Sequence, residues 1–153
     1  MRALEERLVA LATSSKITNG TKIAAVVTAS GMAVVSGLVL TFLGQGDHLI
    51  ASEMCYAGSV ELFAQNQPLF GIEVSLVDTS DPAQVKNALR KNTRLIYVET
   101  PANPILRIAD ISELANITHN VGTRLAVDST WVSPALQQPF SMGVDFIIHS
   151  LTQ

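Results

Sequence analysis

Val144-Asp145-Phe146-Ile147-Ile148-His149-Ser150-Leu151-Thr152-Gln153 is the stretch that decides the fold. An apolar run of strand type, Val144 to His149, emerges into a cluster of polar side chains, His149-Ser150-Leu151-Thr152. In an open α/β sheet the C-terminal ends of the strands are where ligands bind. The same pattern recurs upstream, where Arg124-Leu125-Ala126-Val127 runs into Asp128-Ser129-Thr130 and Arg94 to Glu99 runs into Thr100-Pro101-Ala102-Asn103-Pro104.

Between these strands the periodicity is helical. Leu4, Leu8 and Leu11 make residues 3–12 an amphipathic helix, followed by a polar turn over 13–20. Lys22 to Thr28 reads as a short strand, and Ala29-Ser30-Gly31-Met32 leads into a helix reaching Leu43. Gly44-Gln45-Gly46-Asp47 ends that helix, with a glycine in the left-handed position. Then follow a strand (His48 to Ala51), a helix (Tyr56 to Phe70) and a strand (Ile72 to Val77). Ser80 or Asp81 caps the next helix, with Pro82 in its first turn and an end near Arg90. A helix from Asp110 to Asn120, closed by Gly122, precedes the strand at 124–127. Asp128 to Gln138 is an irregular loop, and Phe140 to Gly143 a short turn. Strands alternating with helices over short loops make an α/β fold, a mostly parallel sheet flanked by helices, within one domain. The pattern leaves strand order open.

Composition agrees. Of 153 residues, 48% are hydrophobic and only 5% aromatic, so aliphatic side chains suit a sheet buried on both faces. A net charge of -3 and the lack of any Lys/Arg cluster argue against nucleic acid as a partner. The longest apolar stretch, Met32 to Leu43, is interrupted by Ser36, Gly37 and Thr41 and falls short of the roughly 18 residues of a membrane span. Met1 to Leu8 is too charged for a signal peptide. Cys55 is the one cysteine, which excludes a disulfide framework and a thiolate metal site. His48, His119 and His149 have no partnering ligands in the sequence, so no metal site is indicated. A cytoplasmic setting is the expectation.

Several residues carry chemistry, each with a plainer alternative. Gly31, between strand and helix, lets backbone N–H groups approach an anion, and Ser30 adds a hydroxyl; many α/β turns hold Ser-Gly without a ligand. Neither G-x-G-x-x-G nor G-x-x-x-x-G-K-[ST] is present, which disfavours a generic nucleotide-binding domain. Asp128 can hydrogen-bond a protonated pyridine nitrogen or cap a turn. Asn103, in a stiff loop that admits a cis X-Pro bond, offers an amide to a phenolic oxygen or does ordinary turn work. Tyr56 can stack on a planar ring and move a proton, or be half-buried structure. Trp131 can line a pocket or simply pack.

The order of these pieces is more telling than any one. Ser-Gly-Met-Ala (30–33), Gly-Asp-His (46–48), Met-Cys-Tyr-Ala-Gly-Ser (54–59) and Glu-Thr-Pro-Ala-Asn-Pro (99–104) come first. Val-Asp-Ser-Thr (127–130), Pro-Ala-Leu-Gln-Gln-Pro (134–139) and Gly-Val-Asp-Phe-Ile-Ile-His-Ser-Leu-Thr (143–152) follow. Along nearly its whole length the chain resembles the Cys/Met-metabolism (transsulfuration) enzymes, which depend on pyridoxal 5′-phosphate.

The resemblance implies the large domain of fold-type I enzymes (aspartate-aminotransferase-like), here incomplete over residues 1–153, with the N-terminal arm and the C-terminal domain absent. It implies β- or γ-elimination or replacement on a small amino-acid substrate such as cystathionine, homocysteine, methionine or an acylated homoserine. It assigns Ser30, Gly31, Met32, Ser150 and Thr152 to the cofactor phosphate and Tyr56 to ring stacking and proton movement. Asp128 falls to the ring nitrogen, Asn103 to the ring's 3′-oxygen, and Thr130 to the ring's flank. It also implies a homotetramer whose sites are completed by neighbouring subunits. Gln153 stands where the family has its catalytic Schiff-base lysine, and Gln138 where it often has arginine. A glutamine cannot form a Schiff base, so little or no activity is expected of this chain, and a non-catalytic pseudoenzyme or interaction module is the alternative.

Overall fold

The computed structural model describes residues 2–13 and 22–151. The expected turn over 13–20 therefore lies almost wholly outside the described residues, as do Thr152 and Gln153. Among the described residues five strands form one parallel sheet: β1 (His48–Ser52), β2 (Glu73–Val77), β3 (Thr93–Glu99), β4 (Arg124–Asp128) and β5 (Phe146–Ile148). Their spatial order is β2-β1-β3-β4-β5, the order that the sequence leaves open. After β2 the chain crosses over β1 to lay down β3 on its other side. The direction of winding thus reverses at β1/β3, which opens a crevice at the C-terminal ends of those strands.

The helices are α1 (Arg2–Ala12), α2 (Gly31–Phe42), α3 (Ala57–Glu61), α4 (Pro82–Ala88) and α5 (Ile111–Asn120). None of them is long and apolar enough to cross a membrane. Strand residues alternate between two cores, because successive side chains leave a strand on opposite faces. Leu49, Ala51, Leu95, Tyr97 and Ala126 pack with Val35, Val39 and Phe63 on the α2/α3 face. Ile50, Ile96, Val98, Leu125 and Val127 pack with Val85, Leu114 and Ile117 on the α4/α5 face. Every residue of β1 is buried, as a sheet covered on both faces requires.

Several expectations change in detail. Residues 22–28 form no strand. They have the composition of one but no strand partner among the described residues: 23–28 line, together with the edge strand β5, a cavity of about 600 Å³ instead of pairing with it, and Val26 is 79% exposed. A strand exists only where its N–H and C=O groups find a ladder. The helix expected from Tyr56 to Phe70 begins at Ala57 and changes pitch, passing through a π turn (Leu62–Asn66) into a 3-10 turn (Gln67–Phe70). Pro68 removes a donor there, and Gly71 at φ 73 stops the chain.

α1 is a helix, yet none of its residues is buried. α2 ends with Leu43 in extended geometry, and the left-handed glycine, Gly46 at φ 86, comes in the turn beyond. Asp81, rather than Ser80, caps α4, its carboxylate accepting from Ala83 N–H at 2.9 Å, and that helix stops at Ala88. The last strand is shorter than Val144 to His149 at both ends.

Candidate functional site

Four strand ends and one helix start converge on a cavity of about 270 Å³, just below the roughly 300–1,000 Å³ usual for small-molecule sites. Asp128 ends β4, Glu99 ends β3, Ser150 follows β5 and Tyr56 follows β1. Ser30 and Gly31 open α2 against them, and Met32, Thr130 and Trp131 complete the wall with Ser59. The crevice where winding reverses is therefore the cavity, as the topology demands.

Each polar residue has a local reason for its place. Ser30 is the N-cap of α2, its Oγ accepting from Ala33 N–H at 3.1 Å, which leaves the hydroxyl hydrogen to be donated outward. Gly31 faces Ser150 across the cavity: a Cβ there would make ordinary van der Waals contact with Ser150 Cβ at 3.6 Å and Ser150 Oγ at 3.8 Å. The opposed Ser150 backbone is tied down by its N–H donating to Thr130 Oγ1 at 2.9 Å. α2 presents the unsatisfied N–H groups of a 12-residue helix on the same wall, a ready site for an anionic group.

At the strand ends the chemistry is acidic. Asp128 is 8% exposed; its Oδ2 accepts from the Tyr97 phenol at 2.9 Å and its Oδ1 from Thr130 N–H at 3.0 Å. Burial first, and then the charge of Asp128, holds the Tyr97 phenol well above its ordinary pKa, so it remains a donor. Glu99 pairs with Asp128 across the ladder and is 4% exposed. Its carboxylate accepts from Tyr56 N–H at 2.7 Å and Asn103 N–H at 3.1 Å. Burial pushes the Glu99 carboxyl above the usual range, those two N–H donors oppose the shift, and the Asp128 charge adds to it. Cys55, buried beside the same two carboxylates, is pushed up to about 12, chiefly by burial. Among the described residues neither Glu99 nor Asp128 has an ion-pair partner. Two buried carboxylates without a cation are expensive, and a ligand carrying a protonated nitrogen would offset that cost.

The structure thus brings Ser30, Gly31, Met32, Tyr56, Asp128, Thr130 and Ser150 onto one cavity. Asn103 is not on its wall; it is joined to the wall through Glu99. Both X-Pro bonds of its loop, Thr100–Pro101 and Asn103–Pro104, are cis. Trp131 lines the cavity and is 47% exposed, and Tyr56 is 55% exposed at the rim. Thr152 and Gln153 lie outside the described residues. Glu99 and Tyr97 are contributions that the sequence reading missed. Glu99 carries the signal that singled out Asp128, a carboxylate closing an apolar strand, whereas Tyr97 in mid-strand looks like plain core.

The walls match pyridoxal 5′-phosphate in chemistry: anion-accepting N–H and hydroxyl groups at one part, a buried carboxylate for a pyridinium N–H at another, and aromatic rings at the rim. Comparison with known proteins converges on the same group. Residues 2–153 match the family described as Cys/Met metabolism PLP-dependent enzyme. The chain is 44% identical over 131 residues to an L-methionine gamma-lyase of Fusobacterium nucleatum subsp. polymorphum, covering 85% of this chain and 33% of that one. It is 39% identical over 153 residues to an O-succinylhomoserine sulfhydrylase of Pseudomonas aeruginosa, covering all of this chain and 36% of that one. Among solved structures, a cystathionine gamma-lyase from Lactobacillus plantarum complexed with L-serine superposes with a TM-score of 0.87 at 33% identity, over 96% of this chain and 36% of that one. The chain spans about a third of the length of the relatives it matches.

Proposed function

This chain belongs to the Cys/Met-metabolism PLP-dependent enzymes, and from that premise we propose that its 153 residues are part of the cofactor-binding large domain of an enzyme of sulfur amino-acid metabolism. The substrates in its relatives' names, methionine, cystathionine and O-succinylhomoserine, share an amino acid with sulfur or an activated oxygen on the side chain. Elimination or replacement of that side-chain group is the reaction class proposed. Homo-oligomeric assembly and a cytoplasmic setting are proposed with it, on the family alone.

One observation carries the cofactor assignment: Asp128 and the N-terminus of α2 stand on the walls of a single cavity. Bound there, pyridoxal phosphate supplies an electron-poor ring that stabilises negative charge on the substrate carbon next to the amino group. Asp128, held by Tyr97 and Thr130, accepts the pyridinium N–H. Ser30 and Ser150 donate hydroxyls to the phosphate beside the N–H groups of Gly31 and Met32, and Thr152 is proposed to join them. Tyr56 would cover the ring from the rim and offer its phenol for proton movement, and Thr130 would flank the ring; Asn103, off the wall and joined to it through Glu99, is proposed for the 3′-oxygen on the family resemblance alone. Gln153 falls at the position of the family's lysine. Its amide neither forms the covalent link nor moves protons at neutral pH, so cofactor binding without turnover is the activity proposed for this chain, and Gln153 also supports the pseudoenzyme alternative.

Equilibrium dialysis of the full chain against pyridoxal phosphate, pyridoxal, ATP and NAD tests the reading, with 2-oxo acid release assayed from the three substrates. Saturable binding of pyridoxal phosphate, weaker binding of pyridoxal and no 2-oxo acid are expected. Preferential binding of ATP or NAD would replace this reading with a generic nucleotide site, and robust 2-oxo acid release would overturn the assignment of Gln153.

A further inference from the structure

Glu99 makes contacts that no role assigned above explains. Its carboxylate ends β3, is nearly inaccessible, and meets backbone from two separate segments: Oε2 accepts from Tyr56 N–H at 2.7 Å and Oε1 from Asn103 N–H at 3.1 Å. Tyr56 follows β1 and Glu99 ends β3, so the first bond spans the crevice at which the sheet's winding reverses. Tyr56 is also the N-cap residue of α3, and its carbonyl accepts from Ser59 and Val60 N–H. Fixing the Tyr56 backbone therefore fixes how α3 starts.

Two N–H groups converging from different loops need two acceptor oxygens and no donor, which describes a carboxylate and not an amide. Glutamine has the same size, but its NH2 would aim a donor at one of the two backbone donors. A charged group beside the Asp128 carboxylate is costly to bury, so a side chain needed only to fill space there would be better neutral. Burial and Asp128 do press Glu99 toward its neutral form, with the two N–H bonds resisting.

We propose that Glu99 is a positioning residue of the cofactor site: its carboxylate clamps the Tyr56 turn to the Asn103 loop across the crevice and so sets the gap that admits a planar pyridine ring. The inference rests on the pyridoxal-phosphate reading of the cavity. The contacts to a phosphate at Ser30, Gly31 and Ser150 lie outside the clamp and do not depend on it.

Glu99→Gln, with Glu99→Asp beside it, separates clamp from filler in the full chain. Backbone amide exchange at Tyr56 and Asn103 reads the clamp without any ligand; affinity for pyridoxal phosphate and for inorganic phosphate reads its consequence. Far-UV circular dichroism confirms that each variant is folded. In Glu99→Gln, exchange at one or both amides should accelerate, and pyridoxal phosphate should bind about tenfold more weakly, the effect of one lost charge-assisted bond. Inorganic phosphate affinity should be unchanged, and Glu99→Asp, which keeps two acceptors on a shorter arm, should recover part of the loss. Unchanged amide exchange with unchanged pyridoxal-phosphate affinity in Glu99→Gln would overturn the proposal. A parallel loss of inorganic phosphate binding would overturn it too, as general damage. If the wild-type chain binds no pyridoxal phosphate, the site reading and the positioning role fall together, while amide exchange still shows whether the two loops are held.

Discussion

The two ends of the same strands bury polar groups to opposite ends. At the start of β1 and β3, His48 is 0% exposed, with Nδ1 2.8 Å from Thr93 Oγ1 and Nε2 3.0 Å from Ser75 Oγ. Both ring nitrogens are satisfied by neutral hydroxyls of the protein itself, and burial lowers the imidazole pKa. At the far end of β3 and β4, Glu99 and Asp128 lie side by side, nearly as deeply buried, facing a cavity, and among the described residues neither has an ion-pair partner. A neutral ring whose two nitrogens meet neutral hydroxyls holds the sheet together and leaves no charge to compensate. Two carboxylates held by neutral N–H and phenol donors, with no counter-charge among the described residues, point outward to a cationic group that the cavity receives.

Breaking the lower cluster should cost most in stability and nothing in binding. His48→Ala empties a fully buried site and removes one hydrogen bond from each of two hydroxyls that Arg90 also contacts, a loss of about 3 kcal/mol measurable by urea unfolding. The affinity for pyridoxal phosphate should stay within twofold of wild type. Tyr97→Phe should do the reverse on a smaller scale. It deletes the phenol that donates to Asp128, for about 1 kcal/mol of stability, and weakens pyridoxal-phosphate binding several-fold. Equal effects of both substitutions on both readouts would erase the distinction.

Stability against pH should separate the two ends by sign. The folded-state pKa of His48 is lowered, so its contribution is complete above its ordinary value of about 6.5 and is lost as pH falls below it. The folded-state pKa of Glu99 is raised, so its contribution is complete below its ordinary value of about 4.3 and is lost as pH rises through the folded value. Removing the imidazole should flatten the acid side of a chemical-denaturation profile, and Glu99→Gln should flatten the part above about pH 4.3. The smallest expected change is at Cys55. With its pKa pushed up to about 12, almost no thiolate exists at pH 8, and iodoacetamide should leave the native chain unmodified until it is unfolded.

What was legible in the sequence follows the same division. The unbroken apolar run of Leu95, Ile96, Tyr97 and Val98 gives a strand buried on both faces, and Asp110 before Ile111 marks a helix start, its carboxylate accepting from Glu113 N–H at 2.9 Å. Such features depend on neighbours in the chain. Residues 22–28 have the local look of a strand, but pairing is a property of what lies alongside, and nothing in those seven residues states that. A carboxylate closing an apolar run marks Asp128, and Glu99 offers the same clue. Its two backbone partners, 43 and 4 residues away, appear only once β1 and β3 are neighbours. The Tyr97 phenol reached Asp128 across the ladder, a contact that no spacing within either strand encodes.

Trp131 is the one tryptophan in the chain, and it lines the cavity. Its emission, followed while the full chain is titrated with pyridoxal phosphate, reports directly on occupancy of that space. Saturable quenching is expected, shifted about 10–100-fold to higher concentration in Asp128→Asn, the loss of one charge-assisted hydrogen bond. No quenching, or the same curve with and without the Asp128 charge, would contradict the assignment of this cavity to the cofactor.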